Sequence, residues 1–85
     1  MREEILELLE EKKYPQIAAL VKDINPADAA ALLEDLPEQS MPILFRLLPK
    51  ELAAEVFVEM EGSQQELLIK SFSDTELKEV LDELY

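Results

Sequence analysis

The chain has 85 residues and a mass of 9.7 kDa, the size of one small domain or of a piece of a larger one. Eight Lys and Arg stand against 20 Asp and Glu, a formal charge of −12 with a pI near 4.2, and so acidic a surface repels nucleic-acid phosphates and anionic lipid headgroups. His, Cys and Trp are absent, which excludes Ser–His–Asp and Cys–His nucleophiles, zinc sites built on His or Cys, and haem or iron–sulfur ligation.

The start, Met1-Arg2-Glu3-Glu4-Ile5-Leu6-Glu7, carries charges where a signal peptide needs its apolar stretch. The longest apolar runs, such as Ile17–Val21 and Ala29–Leu33, are five residues, against the roughly 20 of a membrane span. At 48% hydrophobic residues, the composition is too apolar for a disordered acidic tail. The absence of cysteine fits a cytosolic address.

One glycine and five prolines punctuate a sequence otherwise rich in helix formers, and strand or hairpin signals are missing. The spacing predicts seven helices, over 2–12, 15–23, 26–35, 40–48, 49–60, 64–72 and 74–84. Asn25-Pro26 reads as an N-cap followed by proline in the first helical position, and Pro15, Pro37 and Pro49 suit the same role. Pro42 is less comfortable, because Ser40 would have to cap a helix that places it in the first turn. Ser63-Gln64-Gln65-Glu66 and Ser73-Asp74-Thr75-Glu76 fit the capping box. Helices this short do not persist alone in water, and connections this short make consecutive helices neighbours.

A 24-residue period runs through the chain. It aligns Ile5, Ala29, Ala53 and Leu77; Leu8, Leu32, Val56 and Val80; and Leu9, Leu33, Phe57 and Leu81. In the alternate helices it aligns Ala19, Ile43 and Leu67; Leu20, Leu44 and Leu68; Val21, Phe45 and Ile69; and Ile24, Leu48 and Phe72. Columns that stay apolar across successive hairpins indicate stacked copies of one unit, each unable to bury its apolar face alone. The expected fold is therefore all-α, a right-handed superhelical solenoid of short helical hairpins. On this reading the chain stops after the first helix of a fourth hairpin. Leu77, Val80, Leu81 and Leu84 then lack a following partner, as in a truncated piece of a longer protein or a chain whose end is covered by a second copy.

The same register aligns Glu11, Asp35, Glu59 and Glu83, flanked by Glu10, Glu34, Val58 and Asp82 and by Glu7, Ala31, Glu55 and Glu79. The ordinary role of such a stripe is a solvated face that keeps the protein soluble. A sharper role is a cation-responsive surface. Neighbouring helices lie about 8–10 Å apart, too far for one inner-sphere Mg²⁺ with oxygens at about 2.0–2.1 Å. Pairs one turn apart, Glu55/Glu59 or Glu79/Glu83, bring their Cβ atoms to about 5–6 Å. They offer two ligands, leaving water and an opposing surface to complete the shell. Catalysis has little to work with. Two carboxylates suffice for acid–base chemistry in glycosidases, but nothing here builds an aromatic cleft or a phosphate loop, so the chain reads as a non-enzyme. Phe45, Phe57, Phe72, Met41 and Met60 read as packing residues.

Asn25-Pro26-Ala27-Asp28, Leu32-Leu33-Glu34-Asp35-Leu36-Pro37, Phe45-Arg46-Leu47-Leu48-Pro49-Lys50, Ala53-Ala54-Glu55-Val56-Phe57, Ser73-Asp74, Leu77 and Glu79-Val80-Leu81 carry a resemblance. Together they resemble the cytoplasmic N-terminal domain of the MgtE magnesium transporter family, over nearly the whole of residues 1–85. The resemblance implies an acidic helical superhelix that precedes a pair of CBS domains and a transmembrane pore in a homodimer. It further implies that Mg²⁺ between this domain and the CBS pair favours a closed state. The glutamate of the Ala-Ala-Glu-Val motif, Glu55, matches a carboxylate that faces the CBS domains through Mg²⁺, and Glu59 one turn on is the second candidate ligand. Other acidic ligands, the CBS pair and the membrane portion would belong to sequence beyond Tyr85. The segment itself would lie on the cytoplasmic side without touching the membrane or nucleic acid.

The short repeats and Tyr14-Pro15-Gln16-Ile17-Ala18 are also similar to the armadillo-like middle region of the flagellar motor switch protein FliG. That alternative implies a metal-independent scaffold for protein partners. The charge of −12 suits cation regulation better than a neutral docking groove.

Overall fold

Six short helices, each too short to hold its shape alone, account for most of residues 2–71, the residues described by the computed structural model. They are α1 (Arg2–Glu10), α2 (Tyr14–Val21), α3 (Pro26–Asp35), α4 (Met41–Leu47), α5 (Lys50–Glu59) and α6 (Gly62–Ser71). No strand occurs among the described residues, so the fold is all-α. The seventh expected helix (74–84), the Ser73 capping box and Glu83 lie outside the described residues. The Cα radius of gyration is 11.7 Å, close to the roughly 12 Å of a globular chain of this length.

Local chemistry sets the helix ends. Asn25, in extended backbone geometry, accepts a 2.8 Å hydrogen bond from the Ala27 N–H through Oδ1, with Pro26 opening α3 behind it. This satisfies a backbone donor that the helix itself cannot. At the end of α1, Lys12 adopts φ 56°. The Lys13 N–H then bonds the Leu8 carbonyl at 2.9 Å and the Lys12 N–H bonds the Leu9 carbonyl at 3.1 Å. That pair of bonds is the Schellman motif, which normally uses glycine at the left-handed position.

Three sequence expectations need correction. Pro37 does not open a helix. It lies between α3 and α4, and its carbonyl accepts from the Ser40 and Met41 N–H groups in a turn. Ser63 is not an N-cap, because α6 already begins at Gly62 and the Gln65 N–H bonds the Glu61 carbonyl at 2.9 Å. The helix thus begins two residues earlier than the spacing predicts. Ser40 precedes α4 but makes no side-chain capping bond. Pro42 nonetheless fits, since the first turn has no intrahelical use for its missing N–H.

Packing follows an alternating order. The most extensive contact is α3 against α5, and α4 packs against both α2 and α6. The hairpin partners α1/α2 and α3/α4 also touch. Ile5, Ile17, Val21, Leu33, Met41, Leu44, Val56 and Leu68 are completely or almost completely buried, and among the described residues the buried set contains no polar or charged residue. Phe45 and Phe57 meet edge to face, centroids 6.4 Å apart, joining α4 to α5, an arrangement that contributes about 0.5–1.5 kcal/mol beyond burial.

Not every apolar column is buried along its length. Leu44 and Leu68 are inside, but their counterpart Leu20 is 37% exposed. Val21 is inside, while its counterpart Ile69 is 59% exposed. Ala19 is exposed as well. A shared register does not give equal cover, because each copy is buried only as far as its own helix's neighbours reach it.

Leu44 is the test of this core, since it sits at its centre. Leu44→Ala should cost about 2–5 kcal/mol, read from the shift of a urea denaturation midpoint. Lys12→Gly should instead stabilise by roughly 1 kcal/mol, because it removes a Cβ from a left-handed backbone site. The same titration measures it.

Candidate functional site

Helix α5 carries both candidate ligands. Its inward side is set by Val56, fully buried, with Leu52, Ala53 and Phe57 half-buried beside it. A helix that turns those residues inward must turn Glu55 and Glu59 outward, and both are exposed. They lie one turn apart, with Cβ atoms about 5–6 Å from each other. Glu51, one turn earlier and also exposed, extends them to a strip of three carboxylates on one side of the helix. The sequence columns missed Glu51 because they compare residues 24 apart, and its signal is the local spacing of four. The strip spans eight residues, about 12 Å of helix rise. Accordingly no three acidic side chains among the described residues form a group that could hold a metal ion. Any cation here would take two oxygens from this chain and the rest from water or another surface.

The electrostatics of the helix ends sharpen the picture. Glu10, Asp35 and Glu59 are the last residues of α1, α3 and α5, and none of these helices has a basic residue in its last turn. A carboxylate at a helix C-terminus faces the negative end of the backbone dipole, which is unfavourable by about 0.3–1 kcal/mol at an exposed site. Glu55 and Glu59 also repel each other, as like charges one turn apart do. Among the described residues the ion pair is Glu11–Lys13, at 3.3 Å and about half exposed on both sides. Such a pair stabilises little, and it leaves Glu55 and Glu59 outside it. The C-terminus of α5 is closed by other groups. The Met60 N–H reaches the Val56 and Phe57 carbonyls, and Gln65 Nε2 donates to the Phe57 carbonyl at 2.6 Å. The Glu59 side chain therefore has no capping task there.

The other members of the acidic columns, Glu7, Glu10, Glu11, Glu34 and Asp35, are exposed too, as is Val58 among them. Glu79, Asp82 and Glu83 lie outside the described residues.

The sequence pattern of the MgtE intracellular N domain family matches residues 24–85. The chain belongs to this family. The matched span holds α3 to α6 and with them Glu55 and Glu59, while α1 and α2 precede it. No curated protein matches the chain. Membership places this N domain in a magnesium transporter family rather than an enzyme family. No helix among its described residues is long and apolar enough to cross a membrane.

Because Glu59 is exposed and ends its helix, Glu59→Gln should raise stability by about 0.3–1 kcal/mol at low ionic strength without divalent cations. Glu55→Gln, in the body of the helix, should change it by less than about 0.5 kcal/mol. Thermal melting in a chelator-containing buffer checks both.

Proposed function

We propose that this N domain is the Mg²⁺-responsive regulatory part of an MgtE-type transporter. Glu55 and Glu59 hold hydrated Mg²⁺ against a CBS domain pair of the same chain, in a homodimer. The observation that carries the reading is the pair itself: two exposed carboxylates one turn apart, outside the observed ion pair, at the C-terminal end of a helix inside the family-matched span.

The donor chemistry fits the ion. Mg²⁺ takes oxygen ligands, keeps several of its waters and commonly uses one or two carboxylates. Bringing a second acidic surface against this strip costs repulsion in the absence of a cation. A divalent ion between them turns the same charges into attraction, so closure becomes a function of Mg²⁺ concentration. The ion also offsets two local penalties, the Glu55–Glu59 repulsion and the placing of Glu59 at the negative end of α5.

The frame that holds the strip is part of this proposal. α1 to α6 are read as three hairpins stacked in a right-handed superhelix with a 24-residue repeat. The packing of α3 on α5 and of α4 on α2 and α6, with Leu32, Leu33, Leu44, Leu48 and Val56 buried in their columns, supports that reading.

Mg²⁺ titration of the folded chain at fixed ionic strength is the direct test. A ligand bound to the folded state adds RT ln(1 + [L]/Kd), about 1.4 kcal/mol at ten times Kd. Mg²⁺ should raise the melting temperature beyond a matched monovalent salt, and equal melting in the two salts would favour the metal-independent scaffold. In the full transporter, Glu55→Ala should leave the fold intact and shift Mg²⁺-dependent closure to higher concentration. Unchanged gating would remove Glu55 from the mechanism.

A further inference from the structure

One polar side chain stands where its counterparts are core. Ile17, Met41 and Gln65 are spaced 24 residues apart, and the first two are at most 1% exposed. Gln65 is half-buried in the first turn of α6, and its Nε2 donates to the Phe57 carbonyl of α5 at 2.6 Å. Neither Ile17 nor Met41 carries a side-chain donor. At Leu33, the counterpart of Phe57 in α3, the carbonyl accepts from the Leu36 backbone N–H. Phe57 is therefore held twice. Its ring meets Phe45 of α4 edge to face, and its carbonyl is tied to α6, whose Leu68 is buried three residues after Gln65. The turn beyond has little packing of its own. Val58 is 77% exposed and Glu59 is exposed, with the buried Val56 and Met60 on either side. Helix ends, where the last carbonyls lack partners within the helix, open first unless outside groups take those carbonyls.

We propose that Gln65 is a positioning residue for the cation: by holding the Phe57 carbonyl it fixes the last turn of α5 and keeps Glu59 in place relative to Glu55. The inference rests on the reading of Glu55 and Glu59 as Mg²⁺ ligands and adds the group that preorganises them. A ligand held in place beforehand loses less freedom on binding, so the fixed turn binds more tightly than a fraying one. The choice of amide matters too. A lysine or arginine at residue 65 would also reach the carbonyl, but it would bring a positive charge beside the two carboxylates and compete with the ion. Gln65 supplies the hydrogen bond without the charge, at the end of a helix that has no basic residue in its last turn.

Gln65→Met in the 85-residue chain tests it, since methionine keeps the unbranched length of the side chain and removes the donor. Two readouts are taken. In a chelator-containing buffer, amide exchange at Met60, whose N–H closes the same turn, should speed up by about threefold, on the order of one net hydrogen bond. In MgCl2 at fixed ionic strength, the Kd followed through the Glu55 and Glu59 amide shifts should weaken by about the same threefold factor. Ile17→Val, which lowers stability from within α2, is the control and should leave that Kd where it is in the parent. An unaltered Met60 exchange or an unaltered Kd in Gln65→Met would overturn the positioning role. So would an Ile17→Val chain that binds Mg²⁺ as weakly as Gln65→Met, because the loss would then follow global stability. If the parent binds Mg²⁺ and Gln65→Met binds it equally well, the positioning role falls alone. If the Glu55 and Glu59 shifts of the parent do not respond to Mg²⁺, the ligand reading falls and takes the positioning role with it.

Discussion

Burial of short helices against one another, above all α3 against α5, is the interaction on which this structure depends. None of the six described helices exceeds ten residues, so none of them has enough hydrogen-bonded turns to offset its own nucleation. Stability comes from the contact of α3 with α5 and from α4 held between α2 and α6. Short loops bring partners together at little entropic cost. The apolar columns then decide which sides meet. What remains outside is acid, because a chain of this charge places its carboxylates wherever packing does not need the position.

The same arrangement links fold to function. Val56 and Phe57 anchor α5 by turning inward, and that anchoring points Glu55 and Glu59 away from the core. Glu59 is placed where its own helix disfavours it, next to the negative end of the backbone dipole. A charge kept in an unfavourable position responds strongly to a compensating ion. In the proposed regulation the domain contributes this electrostatic deficit, and the opposing surface and hydrated Mg²⁺ make it good.

Much of this was legible in the residues. Asn25-Pro26 announced its cap because the side-chain oxygen, the extended backbone and the proline all favour one geometry. Leu32, Leu33, Leu44, Val56 and Leu68 were legible as core because helical spacing and the 24-residue period agreed on them. The outward direction of Glu55 followed from that register. Leu20 and Ile69 were misjudged because a sequence period fixes which residues share a register and not how far each is covered. Ile17, Ala30 and Leu36 are buried yet stood outside the chosen columns, since each has a polar counterpart in the 24-residue register, Gln65, Lys78 and Lys12 respectively. Ser63 failed as a cap because α6 begins before it, and the motif cannot reveal that the preceding glycine joins the helix.

The interior of the described residues contains no buried polar group at all. Aliphatic surfaces attract without direction, so the buried side chains set the angle between helices by shape alone. A domain assembled in this way keeps its interior dry by apolar composition, whatever its carboxylates meet outside.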